Sequence, residues 1–288
     1  MSLRERLTRP GILVAPGCYD ALTASLVEGA GFEAAYVSGA GIAYTRLGRP
    51  DIGLVSSAEV ADTVALIRDR VGIRLVVDAD TGYGNALNVQ RTMRMFERAG
   101  ADAIQLEDQT YPKRCGHLAD KGVIPAAEMV GKIKAALDAR TRDTLVVART
   151  DAAAVEGFDR AIERARLYAQ AGADLLFVEA PKTRDELKTV ADALQGTVPL
   201  MANMVEGGKT PLTGAAELEG LGFSLVIFPG AIVRVVARAA QEFYRTLREH
   251  GTSAPFAGRM FDFDALNAVI GTPEMLALGR AYEPDGEP

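Results

Sequence analysis

The sequence predicts an α/β fold of one kind, a (β/α)8 TIM barrel followed by an extra C-terminal helical segment. Two observations carry most of that expectation. Short apolar runs alternate with helical-period segments along all 288 residues, which signals βαβ units and a parallel sheet buried on both faces. One αβ unit also recurs, as Gly31-Phe-Glu-Ala-Ala-Tyr-Val, Gly100-Ala-Asp-Ala-Ile-Gln-Leu, Gly172-Ala-Asp-Leu-Leu-Phe-Val and Gly222-Phe-Ser-Leu-Val-Ile-Phe. Each copy offers a glycine that can end a helix, then a short turn and a strand. A doubly wound sheet is the alternative, but no glycine-rich dinucleotide fingerprint follows the first strand.

In order, the expected strands are Ile12–Ala15, Ala34–Ser38, Leu75–Ala79, Ala103–Glu107, Leu145–Arg149, Leu175–Glu179, Leu200–Met204 and Leu225–Phe228. Ser56-Ser57-Ala58-Glu59 offers a capping box, after which Val60, Val64, Ile67 and Val71 share one helix face. Val89, Met93 and Phe96 mark the next such face, and Met129, Ile133 and Leu137 another. Ile232, Val236, Ala240, Phe243 and Leu247 mark the longest helix. These units use residues 1–250, the expected catalytic barrel. Residues 251–288 are left as an extension whose helical stretch, Phe261 to Leu278, packs on the barrel or on a neighbouring subunit.

Composition works by exclusion. With 48% hydrophobic and 24% charged residues the chain is globular, and no apolar run approaches the ~20 residues a membrane helix needs. Thirty-two basic against 38 acidic residues leave a net charge of −6, so no global basic field recruits nucleic acid or anionic lipid. Arg4, Arg6 and Arg9 have no apolar core after them, which argues against a secretory signal. Cys18 and Cys115 lie far apart without metal or redox spacing, so a reducing cytoplasm is the expected compartment. Cys18 reads as packing, and His250 as a residue at the end of a helix.

Function is expected at the C-terminal ends of barrel strands, and that is where polar residues gather. The second strand ends in Ser38-Gly39-Ala40, the third in Asp78-Ala79-Asp80-Thr81-Gly82, the fourth in Glu107-Asp108-Gln109. The fifth ends in Arg149-Thr150-Asp151, the sixth in Glu179, the seventh in Asn203. Asp78 and Asp80 leave a strand on the same face. With Glu107 they make an oxygen-only set that suits Mg²⁺, or Mn²⁺, completed by an anionic substrate. The plainer reading is that one of the aspartates caps a turn. Lys113-Arg114-Cys115-Gly116-His117 lies in a connection from Thr110 to Gly122, longer than the usual βα loop, and such loops commonly act as lids. A cysteine among cations would have its pKa lowered and could trade a proton near neutrality; the alternative is an exposed loop with incidental basic residues. The Glu206–Pro211 loop is either an anion site or an ordinary turn.

With these residues in place the chain resembles the isocitrate lyase/phosphoenolpyruvate mutase superfamily over essentially its whole length. Asp78-Ala-Asp-Thr-Gly-Tyr-Gly looks like its metal-site strand, and Lys113-Arg-Cys-Gly-His117 like the signature of its carbon–carbon lyase branch. The resemblance implies a Mg²⁺-dependent barrel in a homotetramer that exchanges a C-terminal helix between subunits. It further implies a small anionic carboxylate substrate touched by Ser38, Gly39, Ala40, Arg114, Gly116, Arg149 and Asn203. Cys115, Tyr36, Lys113, His117 and Glu179 would be catalytic, with Tyr36 as base and Cys115 as the acid that protonates the departing carbanion. The expected reaction splits a 2-hydroxy di- or tricarboxylate into a 2-oxo acid and a carboxylate. Leu118 stands where methylisocitrate lyases often carry arginine, and Asn203–Pro211 looks closer to the 2-alkylmalate and dimethylmalate lyases and oxaloacetate hydrolases. Hydrolysis of oxaloacetate is therefore the rival. A phosphonopyruvate-type mutase and a non-catalytic dicarboxylate-binding barrel stand further off.

Overall fold

A computed structural model describes residues 1–116, 118 and 120–283, and among them eight parallel strands close into a barrel in chain order. The strands are β1 (Leu13–Cys18), β2 (Ala34–Val37), β3 (Arg74–Asp78), β4 (Ala103–Glu107), β5 (Leu145–Thr150), β6 (Leu175–Val178), β7 (Leu200–Asn203) and β8 (Leu225–Phe228). Closure comes from β1 pairing with β8, Ala15 opposite Ile227. Seven lie within one residue of their expected ends, and β1 runs three residues past Ala15 to Cys18. The helices are α1 (Leu3–Leu7), α2 (Ala21–Gly29), α3 (Gly39–Ile42), α4 (Ser57–Arg70), α5 (Ala86–Ala99) and α6 (Ala126–Ala139). Then follow α7 (Phe158–Gln170), α8 (Arg184–Leu194), α9 (Ala215–Leu221), α10 (Ala231–His250), α11 (Phe263–Ile270) and α12 (Thr272–Arg280).

Two layers of core follow from the two-residue side-chain period of a strand. Leu13, Ala15, Ala34, Tyr36, Val76, Ala103, Leu145, Val147, Leu175, Phe177, Met201, Leu225 and Ile227 fill the barrel interior. The residues between them, such as Ala35, Val77, Ile104, Val146, Leu176 and Val226, face the helices. This phase decides the site. Counting on by twos from the inward residues reaches Ser38, Asp78, Glu107, Arg149, Glu179 and Asn203 at the C-terminal rim.

The local signals hold. Ser56 Oγ accepts from Glu59 N (3.3 Å) while Ser56 N donates to Glu59 Oε2 (2.8 Å), so α4 begins with a capping box. The repeat glycines Gly31, Gly100, Gly172 and Gly222 all take positive φ, at 84°, 104°, 101° and 109°, a conformation at helix ends that side chains resist.

Helix α1 is an element the sequence reading did not anticipate. Leu3 and Leu7 join the inner core, and Arg4 pairs with Asp143 (2.7 Å) and Asp174 (2.8 Å) just ahead of β5 and β6. It therefore plugs the N-terminal mouth. At the other terminus the expected single helical stretch is two helices, because Gly271 (φ 79°) ends α11 and Pro273 opens α12. Contacts divide the chain into Met1–Val233 and a second unit from Arg234 onward. The division falls early in α10, ahead of the boundary at residue 250 read from the sequence. Within the second unit, Phe243 packs edge-on against Phe256, and Glu242 binds both Arg238 and Arg259.

Candidate active site

The rim is built from strand ends. Ser38 follows β2 and its Oγ accepts from Gly41 N (3.0 Å), so it starts the short helix α3. A Cβ placed on Gly39 would lie 3.0 Å from Asp78 Oδ2 and 3.4 Å from Asp80 Oδ1. The two aspartates thus converge on backbone that carries no side chain, with Ala40 next to it. Asp78 Oδ1 accepts from Gln105 Nε2 (3.2 Å) and Asp80 N (3.3 Å). Asp80 itself stands at φ 47°.

Lys113 is buried, with its ammonium between Asp51, at hydrogen-bonding contact, and Asp80 (2.8 Å). Burial alone would lower its pKa, but Asp80 and Asp51 outweigh it and hold it charged. Burial raises Asp78, and pushes Asp80 up to about 7 even against Lys113. Glu107 rises well above the carboxylate range for the same reason, Arg149 offsetting only part.

Arg149 is the hub of the far side. Its guanidinium forks onto Asp151 (2.8 and 3.0 Å), lies 3.4 Å from Glu107 and 3.8 Å from Glu179, and covers the Phe177 ring. Asn203 Nδ2 donates to Glu179 Oε2 (3.3 Å). Arg149 is thus already engaged by three carboxylates rather than held open for one.

The expected lid is seated on this rim. A Cβ on Gly116 would meet Arg149 Nη2 at 2.5 Å and Glu179 Cδ at 2.7 Å, so only glycine lets the backbone next to Cys115 come down here. The segment is pinned residue by residue. Gln109 accepts from Arg114 N (3.0 Å) and donates to its carbonyl (2.8 Å), and Cys115 N donates to the Asp51 carbonyl (3.1 Å). Lys121 Nζ donates to the Gly116 carbonyl (2.5 Å) and to Asp151 (2.6 Å). Cys115 is half-buried and outside any disulfide. His117 lies outside the described residues.

Three expectations change on contact with this geometry. Tyr36 is inside the barrel, where burial, then Asp78, raises its phenol well above 10; its expected role as base therefore calls for an added positive charge beside Asp78 to bring the phenol down. Arg114 turns outward, 46% exposed and near Asp120, so it contributes backbone to the loop rather than a guanidinium to substrate. Asp78 and Asp80 converge, but Glu107 is drawn to Arg149, and among the described residues no three His, Cys, Asp or Glu side chains already form a metal cage. Cys18 reads as before, for burial lifts its thiol to about 12. Asp51 and Lys121 were not singled out from sequence, because a loop residue's partner is set by tertiary closure. Gln109 and Asp151 stood among the polar strand-end residues, two on from Glu107 and Arg149, but without an assigned role.

The residues nevertheless fit a hard divalent cation. The donors are all carboxylate oxygens, and Glu107 Oε1 is buried without a hydrogen-bond partner. The rim also carries six buried carboxylates (Asp51, Asp78, Asp80, Glu107, Asp151, Glu179) and three buried cations (Lys113, Lys121, Arg149). Burial that raises carboxylates so far is what an added positive charge reverses.

A closed parallel barrel with an acid-rich C-terminal rim under a seated cysteine loop defines an enzyme of the TIM-barrel class. The family model described as phosphoenolpyruvate phosphomutase matches residues 3–248. The chain belongs to that family, within the phosphoenolpyruvate mutase/isocitrate lyase superfamily. It is 41% identical to 2,3-dimethylmalate lyase of Eubacterium barkeri over 281 residues, 97% of this chain and 96% of that one. It is 45% identical to 2-methylisocitrate lyase of Aeropyrum pernix over 269 residues, covering 93% and 86%. Among solved structures, 2,3-dimethylmalate lyase superposes with TM-score 0.92 at 36% identity, covering 97% and 94% of the two chains. Oxaloacetate acetylhydrolase bound to 3,3-difluorooxalacetate also reaches 0.92, at 33% identity and coverage of 97% and 95%.

Proposed function

We propose that this protein is a carbon–carbon lyase acting on a 2-hydroxy di- or tricarboxylate of the 2,3-dimethylmalate, 2-alkylmalate or 2-methylisocitrate type. The products are a 2-oxo acid such as pyruvate and a carboxylate. The observation that carries this is the seating of Gly116, the residue after Cys115, against Arg149 and Glu179 of the acid-rich rim. A sensor has no use for a proton donor delivered there.

Asp78 and Asp80, with Glu107 in support, would hold Mg²⁺ or Mn²⁺. When bound, such an ion acidifies a coordinated hydroxyl and stabilises charge as the bond breaks. The chain's own residues do the rest. Backbone at Ser38–Ala40 receives the 2-oxo fragment, and Tyr36, its phenol lowered by a cation held at Asp78 and Asp80, would take the proton of the substrate hydroxyl. Lys113 keeps Asp51 and Asp80 in register. Cys115 Sγ gives its proton to the carbanion of the departing carboxylate, Tyr36 holds the proton taken from the substrate hydroxyl, and that proton is exchanged through solvent to the Cys115 thiolate once the products leave. Asn203 donates toward the leaving carboxylate, and Glu179 orients Asn203 and Arg149. General acid assistance of this sort is worth about 10²–10⁴-fold.

The test is one panel: 2-methylisocitrate, 2,3-dimethylmalate, 2-alkylmalates, isocitrate and oxaloacetate, each with Mg²⁺ or with EDTA. Release of 2-oxo acid with Mg²⁺ and its loss with EDTA is expected. Oxalate from oxaloacetate would select the rival hydrolase, which the likeness to oxaloacetate acetylhydrolase favours. Cys115→Ser is expected to lower kcat by about 10²-fold or more; unchanged turnover would remove the cysteine from the mechanism. We place the enzyme in a reducing compartment, the cytoplasm, in keeping with two cysteines outside disulfides.

A further inference from the structure

The geometry points to Lys121 as a positioning residue: by bridging the Gly116 carbonyl to Asp151 it holds the Cys115 backbone down on the rim. The inference rests on the proposed role of Cys115 and extends it to a residue that touches neither substrate nor reacting atoms.

Lys121 Nζ sits 2.5 Å from the Gly116 carbonyl oxygen and 2.6 Å from Asp151 Oδ1. The side chains of this pair are 2% and 0% exposed, so the ammonium has been taken out of water for these contacts. Asp151 belongs to the barrel. Its backbone N–H donates to Asp108 Oδ1 (2.8 Å), and Asp108 is held in turn by Thr150 and Tyr168 (2.7 Å each) and by Arg164 (3.3 Å). Both Asp151 oxygens also take the fork of Arg149. One carboxylate therefore joins a cation of the rim to a cation of the loop. Gly116 makes the second link, since its backbone rests against Arg149 and Glu179.

Among the described residues, other contacts hold the segment on the approach to Cys115 and at its far end, where Thr110 N–H donates to the Gly122 carbonyl (2.9 Å). Gln109 grips Arg114, and the Asp51 carbonyl takes Cys115 N–H. After Cys115, the Lys121 ammonium is a charged anchor that reaches the backbone at Gly116. A buried pair that loses one member leaves the other charge without compensation, so removing the ammonium favours a lifted loop with Asp151 returned to Arg149 alone. A residue that served folding only would lower stability without exposing Cys115.

The test reads Cys115 itself. Cys18 is fully buried, so alkylation of the folded enzyme by iodoacetamide, followed by mass spectrometry, reports the Cys115 loop. Lys121→Met is expected to speed alkylation by about tenfold or more, with thermal stability followed in parallel. In turnover kcat falls by a similar factor while KM changes by less than about threefold, since a mispositioned acid weakens the chemical step more than binding. Lys121→Arg keeps the charge and should hold alkylation near the parent rate. Lys121→Gln, which keeps a donor but no charge, should follow Met and serves where Met does not fold. Parent-like alkylation in both Met and Gln variants, or in Gln alone if Met is unfolded, overturns the inference. Because alkylation needs no substrate, it stands apart from the panel: failure of every substrate would sink the proposed reaction and leave this result untouched.

Discussion

Gly116 concentrates the chemistry of the rim in one missing atom. A methyl group there would overlap Arg149 Nη2 at 2.5 Å and the Glu179 carboxyl carbon at 2.7 Å, distances that real Cβ contacts do not reach. Gly116→Ala should therefore fold, because the rest of the barrel is untouched, yet lift the loop by a fraction of an ångström to an ångström. Displacements of that order cost about 10²-fold when they move a reacting group, and steady-state kcat on the best panel substrate is the measurement. Asp151 gives a prediction in pH. Burial would raise it, but Arg149 and Lys121 prevail and bring it down to about 2 from an ordinary 3.8. A depressed folded pKa contributes stability above the unfolded value, and that contribution drains away as pH falls through the folded one. The shift corresponds to about 2 kcal/mol. Asp151→Asn should lose at least that at pH 7 by urea unfolding, with the gap to the parent narrowing between pH 4 and pH 2. A gap constant across that window would contradict the charge argument.

At the scale of elements, α1 is the piece whose role is easiest to isolate. Leu3, 2% exposed, closes the barrel interior from below, while the rim with Cys115 lies at the opposite strand ends. Leu3→Ala should cost about 2–5 kcal/mol of stability and leave kcat unchanged wherever the protein is folded; thermal melts beside turnover assays separate the two. That α1 was not foreseen has a physical reason. Five residues carry one turn of pattern, too short for periodicity, and apart from the local Ser2–Glu5 capping box what holds them lies far along the chain: the barrel core against Leu3 and Leu7, and Asp143 and Asp174 against Arg4. The strands were legible because burial on both faces demands continuous apolar runs. The repeat glycines were legible because positive φ at a helix end leaves few other choices. In the site, the inward phase of Asp78, Glu107, Arg149, Glu179 and Asn203 could be read from spacing alone. What spacing could not supply was pairing: that Lys113 turns to Asp51, that Arg149 is claimed by Asp151, or that the buried Tyr36 feels Asp78. Those depend on where loops land, and loops carry no period.

On the scale of the whole molecule, the second unit shows a surface that a lone chain does not explain. Phe263 is 83% exposed, Met275 66%, Leu276 59% and Tyr282 81%, all on or beside α11 and α12. These helices have 8 and 9 residues, too few to persist in water on local hydrogen bonds. Exposed apolar groups gathered in this way mark an association surface, and a closed symmetric assembly is the commonest way to bury it. We propose that other copies of this chain cover it, in a homotetramer that exchanges the C-terminal helices. Light scattering should then give about four times the 30.6 kDa of one chain. Truncation after Met260 removes α11 and α12 and should lower the mass toward one chain, while the barrel's circular dichroism is retained because its inner core contains none of these residues. A parent protein that runs as a monomer at micromolar concentration would refute the assembly. A truncated protein that keeps the parent mass would move the interface elsewhere, to the barrel or to α10.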